Sequence, residues 1–221
     1  MKPLETLGWV RTRDSRHLVL YRREEDYQIR LDGLELMTSR AFGSEAAMAE
    51  LVRLRLGDVA APRILVGGLG MGFTLRAALD HFPASAIVEV AEIFPEVVAW
   101  NRGPLAHLAS RPLEDARVRV HETDVFEVLG EGNYDGILLD VDNGPSPFTL
   151  DSNADLYSDS GIELLVESLT PAGALAVWSS DDAPNFERRL RRVGLAVRRE
   201  RVPAKGEAGG PPHTIYLARR A

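Results

Sequence analysis

Cysteine is missing from this chain altogether, which excludes disulfides and thiolate metal sites. Lysine is nearly missing: Lys2 and Lys205 are the only two, and every other basic residue is arginine. Histidine is scarce, with five scattered residues and no pair at metal-binding spacing, so no metal site is expected. No stretch nears the ~20 consecutive apolar residues of a membrane span. The segment Met1 to Trp9 lacks the apolar centre of a signal peptide, so a cytoplasmic protein away from membranes is expected. Positive charge is not in excess either. A net charge of −7 argues against a nucleic-acid partner and suits a cationic substrate, although solubility alone would account for it.

What is present can fill a full core: 221 residues, 45% of them hydrophobic, with no internal repeat. The organising stretch is Arg63 to Gly72, in which the apolar run Ile64-Leu65-Val66 stops at Gly67, Gly68, Gly70 and Gly72. A buried parallel strand running into a tight turn reads this way. Phe73 to His81 has helical spacing and ends before Pro83, so the glycines lie in a strand-to-helix turn. Such a turn lets a ligand approach bare backbone amides, although tight packing of a helix on a sheet would also use glycine.

Upstream, His17 to Tyr21 and Tyr27 to Leu31 read as strands, and Asp32-Gly33 as a turn before Leu34-Glu35-Leu36. This predicts a small N-terminal β-hairpin or meander. Ser44 is the expected N-cap of a helix from Glu45 to about Arg55, with Ala47, Met48, Leu51 and Leu54 facing inward and Gly57 closing it. Residues 1–57 therefore form an N-terminal segment and 58–221 the main domain.

From Arg63 onward strands alternate with helices, which calls for a doubly covered parallel sheet. Acids recur where those strands end. Glu92 follows the strand Ala86 to Ala91, lies 20 residues after Gly72, and precedes Pro95 at a helix start. An acid there can take both hydroxyls of a ribose. Glu89 sits within the strand and is a poorer candidate. Asp124 follows Val118 to His121; it suits an adenine amino group and a helix N-cap equally. Asp140 ends the strand Tyr134 to Leu139 and opens Val141-Asp142-Asn143-Gly144-Pro145, where chemistry is favoured over turn geometry alone. Leu156 to Leu169 reads as a helix, Pro171-Ala172-Gly173 as a turn, and Ala174 to Trp178 as the fifth strand. Asn185 to Val193 is a basic, solvated helix; Leu195 to Val202 and Thr214 to Ala218 are terminal antiparallel strands. The loop between them, with His213, could cover a ligand, although a lone histidine more often has no special role.

The dinucleotide pattern G-x-G-x-x-G fails, because its third glycine would be Phe73 or Leu75. Gly68-Leu69-Gly70-Met71-Gly72 followed by Glu92, Asp124 and Asp140 instead resembles a class I S-adenosylmethionine-dependent transferase. More narrowly, the chain resembles the spermidine synthase-like family over nearly its whole length. Leu31-Asp32-Gly33, Ser44-Glu45, Glu50, Gly67-Gly68, Glu92-Ile93, Pro95 to Val98, Asp124, Tyr134-Asp135, Asp140 and Gly144-Pro145 carry the match.

The resemblance implies an α/β fold, a Rossmann-like seven-stranded methyltransferase sheet behind the β-hairpin segment. It implies that Gly67, Gly68, Gly70, Gly72, Glu92 and Asp124 bind S-adenosylmethionine or its decarboxylated form, with Glu92 on the ribose and Asp124 on the adenine. Asp140 would act on the attacking amine, and Asp142 and Asn143 would hold a small, cationic acceptor. A homodimer stays open. The departures matter too: the family aspartate in the glycine turn is Gly70, its glutamine after Asp-Gly is Leu36, its Tyr-His pair is Met48-Ala49, and its second loop aspartate is Asn143. Loss of a carboxylate at Gly70 is expected to leave room for intact S-adenosylmethionine. Methyl transfer is therefore the first expectation, aminopropyl transfer the second, and a catalytically idle nucleoside-binding protein the third.

Overall fold

A computed structural model describes residues 3–12, 15–141, 144–145 and 155–220. The N-terminal part is larger than a hairpin. Strands β1 (Glu5–Arg11), β2 (His17–Arg23), β3 (Asp26–Leu31) and β4 (Leu34–Thr38) form an antiparallel sheet in chain order. Asp32 and Gly33 join β3 to β4 with positive φ angles of 48° and 84°, the conformation that a two-residue hairpin turn matching strand twist requires. One face of this sheet, with Leu18, Leu20 and Ile29, packs into the core of the main domain beside Val97 and Trp100.

Helix α1 (Gly43–Leu56) leads into the main sheet, and its first turn differs from expectation. Phe42 is the N-cap and offers no side-chain bond; Ser44 lies inside the helix. The buried stripe runs through Ser44, Glu45, Met48, Ala49 and Val52, while Leu54 is 73% exposed. Contacts with Phe73–His81, Tyr134–Leu139 and Leu169–Ser179 turn the helix by about one position from the face that apolar spacing alone suggested.

The main sheet has seven strands in the order β10-β11-β9-β8-β5-β6-β7. Strands β5 (Arg63–Gly67), β6 (Ile87–Ala91), β7 (Val118–His121), β8 (Tyr134–Leu139) and β9 (Leu169–Ser179) are parallel. Strand β11 (Pro212–Arg220) inserts antiparallel between β9 and β10 (Leu195–Pro203). The expected turn Pro171 to Gly173 is part of β9, where pairing slips from Tyr134↔Leu169 to Gly136↔Ala174. A bulge asks for no ladder bond from Pro171, so proline is accommodated.

Helices α2 (Phe73–His81), α3 (Pro95–Arg102), α4 (Val125–Leu129), α5 (Asp159–Ser168) and α6 (Pro184–Arg192) complete the wound fold. The chain builds outward from β5 through β6 to β7, then returns to place β8 on the other side of β5. That reversal opens a crevice beyond the carboxyl ends of β5 and β8, where ligands bind in open α/β sheets. No helix among the described residues is long and apolar enough to cross a membrane.

Candidate active site

The crevice is a cleft of about 940 Å³, its open mouth included, floored by the strand ends and roofed by the N-terminal sheet. Gly68 and Gly70 are on its wall; Gly67 and Gly72 sit behind it against Leu139 and Asn101. A Cβ at Gly68 would strike the carbonyl of Asp140, and its φ of 86° is left-handed, so only glycine lets β5 and β8 close here.

Glu92 is buried at 8% exposure immediately after β6. Its Oε2 accepts the Leu69 amide at 3.0 Å and its Oε1 the Phe94 amide at 2.9 Å. The first bond ties the carboxylate to the glycine turn, the second to the entrance of α3. Asp124 also lines the cleft, and its Oδ1 accepts the Phe126 amide at 3.0 Å as the N-cap of α4. The helix-cap reading of Asp124 is thus observed, at a residue that also lines the cleft. Glu89, by contrast, points away from this chemistry: it is buried against Arg63 at 2.5 Å and His121 at 2.8 Å, an ion-paired cluster inside the sheet.

Asp140 stands just past β8, its amide bonded to the Gly67 carbonyl at 2.8 Å. Thr74 donates to its Oδ2 at 2.6 Å. Burial nonetheless pushes the Asp140 carboxyl up to about 6. Glu45, from the first turn of α1, lines the same cleft and is 5% exposed. Burial, and then the Asp140 charge, push it up to about 7. Two buried acids, one of which raises the other, titrate as a pair and hold a proton near neutrality, the condition for moving one at physiological pH. Asp142 and Asn143 lie outside the described residues.

The glycine turn brings a correction. Space beside Gly70 is not open: Met37 of β4 covers it, and a Cβ there would meet the Met37 Cε at 2.8 Å and Sδ at 2.9 Å. The Met71 amide donates to the same sulfur at 3.2 Å. Leu18, Ile29 and Leu36 extend this apolar wall. Sequence reasoning placed neither Met37, Glu45 nor Thr74 in the site. Nothing local marks them, since each reaches the cleft only through tertiary packing. Among the described residues no cluster of three or more His, Asp or Glu side chains is placed to hold a metal ion.

No family model and no curated protein matches the sequence. Solved structures do match in fold. A spermidine synthase in complex with the transition-state analogue AdoDATO superposes with a TM-score of 0.76 at 17% identity, covering 98% of this chain and 72% of that one. Spermidine synthase from Thermotoga maritima superposes with a TM-score of 0.75 at 18% identity, covering 97% of this chain and 72% of that one. The fold is thus spermidine synthase-like, including the antiparallel sheet ahead of the seven-stranded one.

Proposed function

We propose that this chain is a transferase that uses a sulfonium nucleoside of the S-adenosylmethionine type and a small amine acceptor, with an aminopropyl group transferred. The observation that carries the reading is the pairing of Glu92 and Asp140 on the two sides of the crevice, one locked to the glycine turn and the other at the edge of the same cleft. The donor would supply the electrophilic carbon and the sulfide leaving group. Glu92 would accept from the ribose hydroxyls, and Asp124 with neighbouring amides would border the base. Asp140 would orient the amine in line with that carbon and take its proton, alignment supplying most of the rate. Asp142 and Asn143 are proposed to flank the acceptor. The likeness to spermidine synthases favours aminopropyl over methyl transfer.

Methyl transfer is the second reading, favoured by one feature: Gly70 offers no carboxylate to the ammonium of a decarboxylated donor. Product analysis separates them. Decarboxylated S-adenosylmethionine with a panel of diamines should give methylthioadenosine, whereas methyl transfer from the intact donor would give S-adenosylhomocysteine. Binding of methylthioadenosine with neither product formed would reduce the protein to a nucleoside binder.

A further inference from the structure

Beside the acid pair lies a buried hydroxyl with three partners. Ser44 is fully buried. Its Oγ is 2.6 Å from Glu45 Oε2, 2.9 Å from His213 Nδ1 and 3.0 Å from Trp178 Nε1. The His213 ring meets the Trp178 ring edge-on with centroids 4.6 Å apart, which holds the imidazole in place. An indole nitrogen only donates, so Trp178 permanently occupies one lone pair of Ser44. The hydroxyl has one hydrogen and one lone pair left, and Glu45 and His213 face them. One of the two must donate and the other accept. When Glu45 is ionised, Ser44 donates to it and His213 must carry its hydrogen on Nδ1. When Glu45 is protonated it donates to Ser44, Ser44 donates to Nδ1, and the neutral imidazole carries its hydrogen on Nε2.

We propose that Glu45, Ser44 and His213 form a proton wire that drains the acid pair at the cleft to the protein surface. The proton moves from the Glu45 carboxyl to Ser44 Oγ as the Ser44 hydrogen passes to Nδ1, and the resulting imidazolium releases its Nε2 hydrogen to water. Glu45 is left ionised, Ser44 intact and His213 neutral with Nδ1 protonated; one proton has left the site and no other bond changes. His213 is partly exposed, which gives the wire its outlet to water. The other groups facing the wire are Asp140 at Glu45 and Asp181 at His213. Burial holds the His213 imidazole below its ordinary range, which favours the neutral ring.

The inference rests on the proposed function only in its purpose, since the wire would clear the proton that the acceptor amine gives up. Its test does not depend on turnover. Ring-15N-labelled histidine in the whole protein reports the His213 tautomer by NMR from about pH 5 to about pH 9. The expected result is a switch of the neutral ring from Nε2–H to Nδ1–H as pH rises through the Glu45 titration. Ser44→Ala and Glu45→Gln should each abolish the switch, and Ser44→Thr, which keeps the hydroxyl, should retain it; methylthioadenosine binding checks that each variant is folded. A single neutral tautomer throughout in the wild-type protein overturns the wire, whatever the enzyme turns over. A switching tautomer in a protein that forms no product upholds the wire and removes the transferase reading instead.

Discussion

Thr74 donates its hydroxyl to Asp140 Oδ2 across 2.6 Å, fastening the end of β8 to the first turn of α2. The bond holds the Asp140 carboxylate in one orientation and lowers its pKa against the larger effect of burial. Thr74→Val keeps the shape and deletes the donor, so Asp140 should stay protonated to higher pH. The acidic limb of the pH–rate profile should move upward, with turnover falling about tenfold, the equivalent of one net hydrogen bond. An unmoved profile would mean that another group titrates on that limb.

Asp140→Asn should keep methylthioadenosine binding and lower turnover of decarboxylated donor with diamine by roughly 10² to 10⁴, the range for a lost general base. Single-turnover assays beside calorimetric titration separate the two effects. Full turnover in the variant would leave Asp140 as a turn residue.

Glu92 is bonded to two backbone amides, so truncating it unties the glycine turn as well as removing the ribose partner. Glu92→Ala should cost about 1.5 to 3 kcal/mol of methylthioadenosine affinity by calorimetry. Glu92→Gln, which can still accept from one amide, should cost less. Equal affinity in wild type and both variants would remove Glu92 from the nucleoside site.

Met37 sets the outcome at Gly70. Gly70→Asp alone places a carboxylate against the Met37 thioether at a φ of 51°, and should lower the melting temperature without improving donor binding. Gly70→Asp with Met37→Ala opens the space, and should raise affinity for the decarboxylated donor roughly ten- to a hundredfold, the worth of one charge-assisted contact. Competitive titration against methylthioadenosine, which lacks the charged tail, reads the change. No gain in the double variant would place the donor tail elsewhere in the cleft.

Glu45 makes stability fall with pH. Its carboxyl is raised to about 7 in the folded protein, chiefly by burial, against an ordinary value of about 4.3 in an unfolded chain. Between those values the folded state holds the extra proton, so the stabilisation is complete below about pH 4 and is lost as pH rises through about 7. His213, lowered by burial, contributes the opposite slope around its own titration. The melting temperature of Glu45→Gln minus that of wild type should therefore grow from about pH 5 to pH 8. A constant difference would show that Glu45 is already ionised at the lower pH.

The parallel sheet was legible because its signals are local. Strands β7 and β8 begin and end where apolar runs meet Glu122 and Asp140, and Pro95 opens α3 as its fixed φ allows. The positions of Glu92, Asp124 and Asp140 at the cleft followed from those strand ends. The misreadings fall where tertiary contact overrides local preference. Ser44 has the chemistry of an N-cap, yet its hydroxyl is taken by Glu45 beside it and by Trp178 and His213 far away in sequence. Pro171 and Gly173 spell a turn, yet a bulge absorbs them into β9. An empty pocket at Gly70 followed from the missing side chain there, and no pattern in the sequence says that Met37 from another sheet fills it. The neighbours of His213, Ser44 and Trp178, are likewise not marked in the sequence, since a lone histidine's surroundings come from the fold.

Ser44 and His213 are 169 residues apart in sequence. Without β11 the parallel strands would end at β9 with an unpaired edge. Contacts of such separation are slow to close. Strand β11 pairs the β9 edge and also carries His213 to Ser44, so cover for that edge and completion of the buried hydroxyl's partners depend on the same strand.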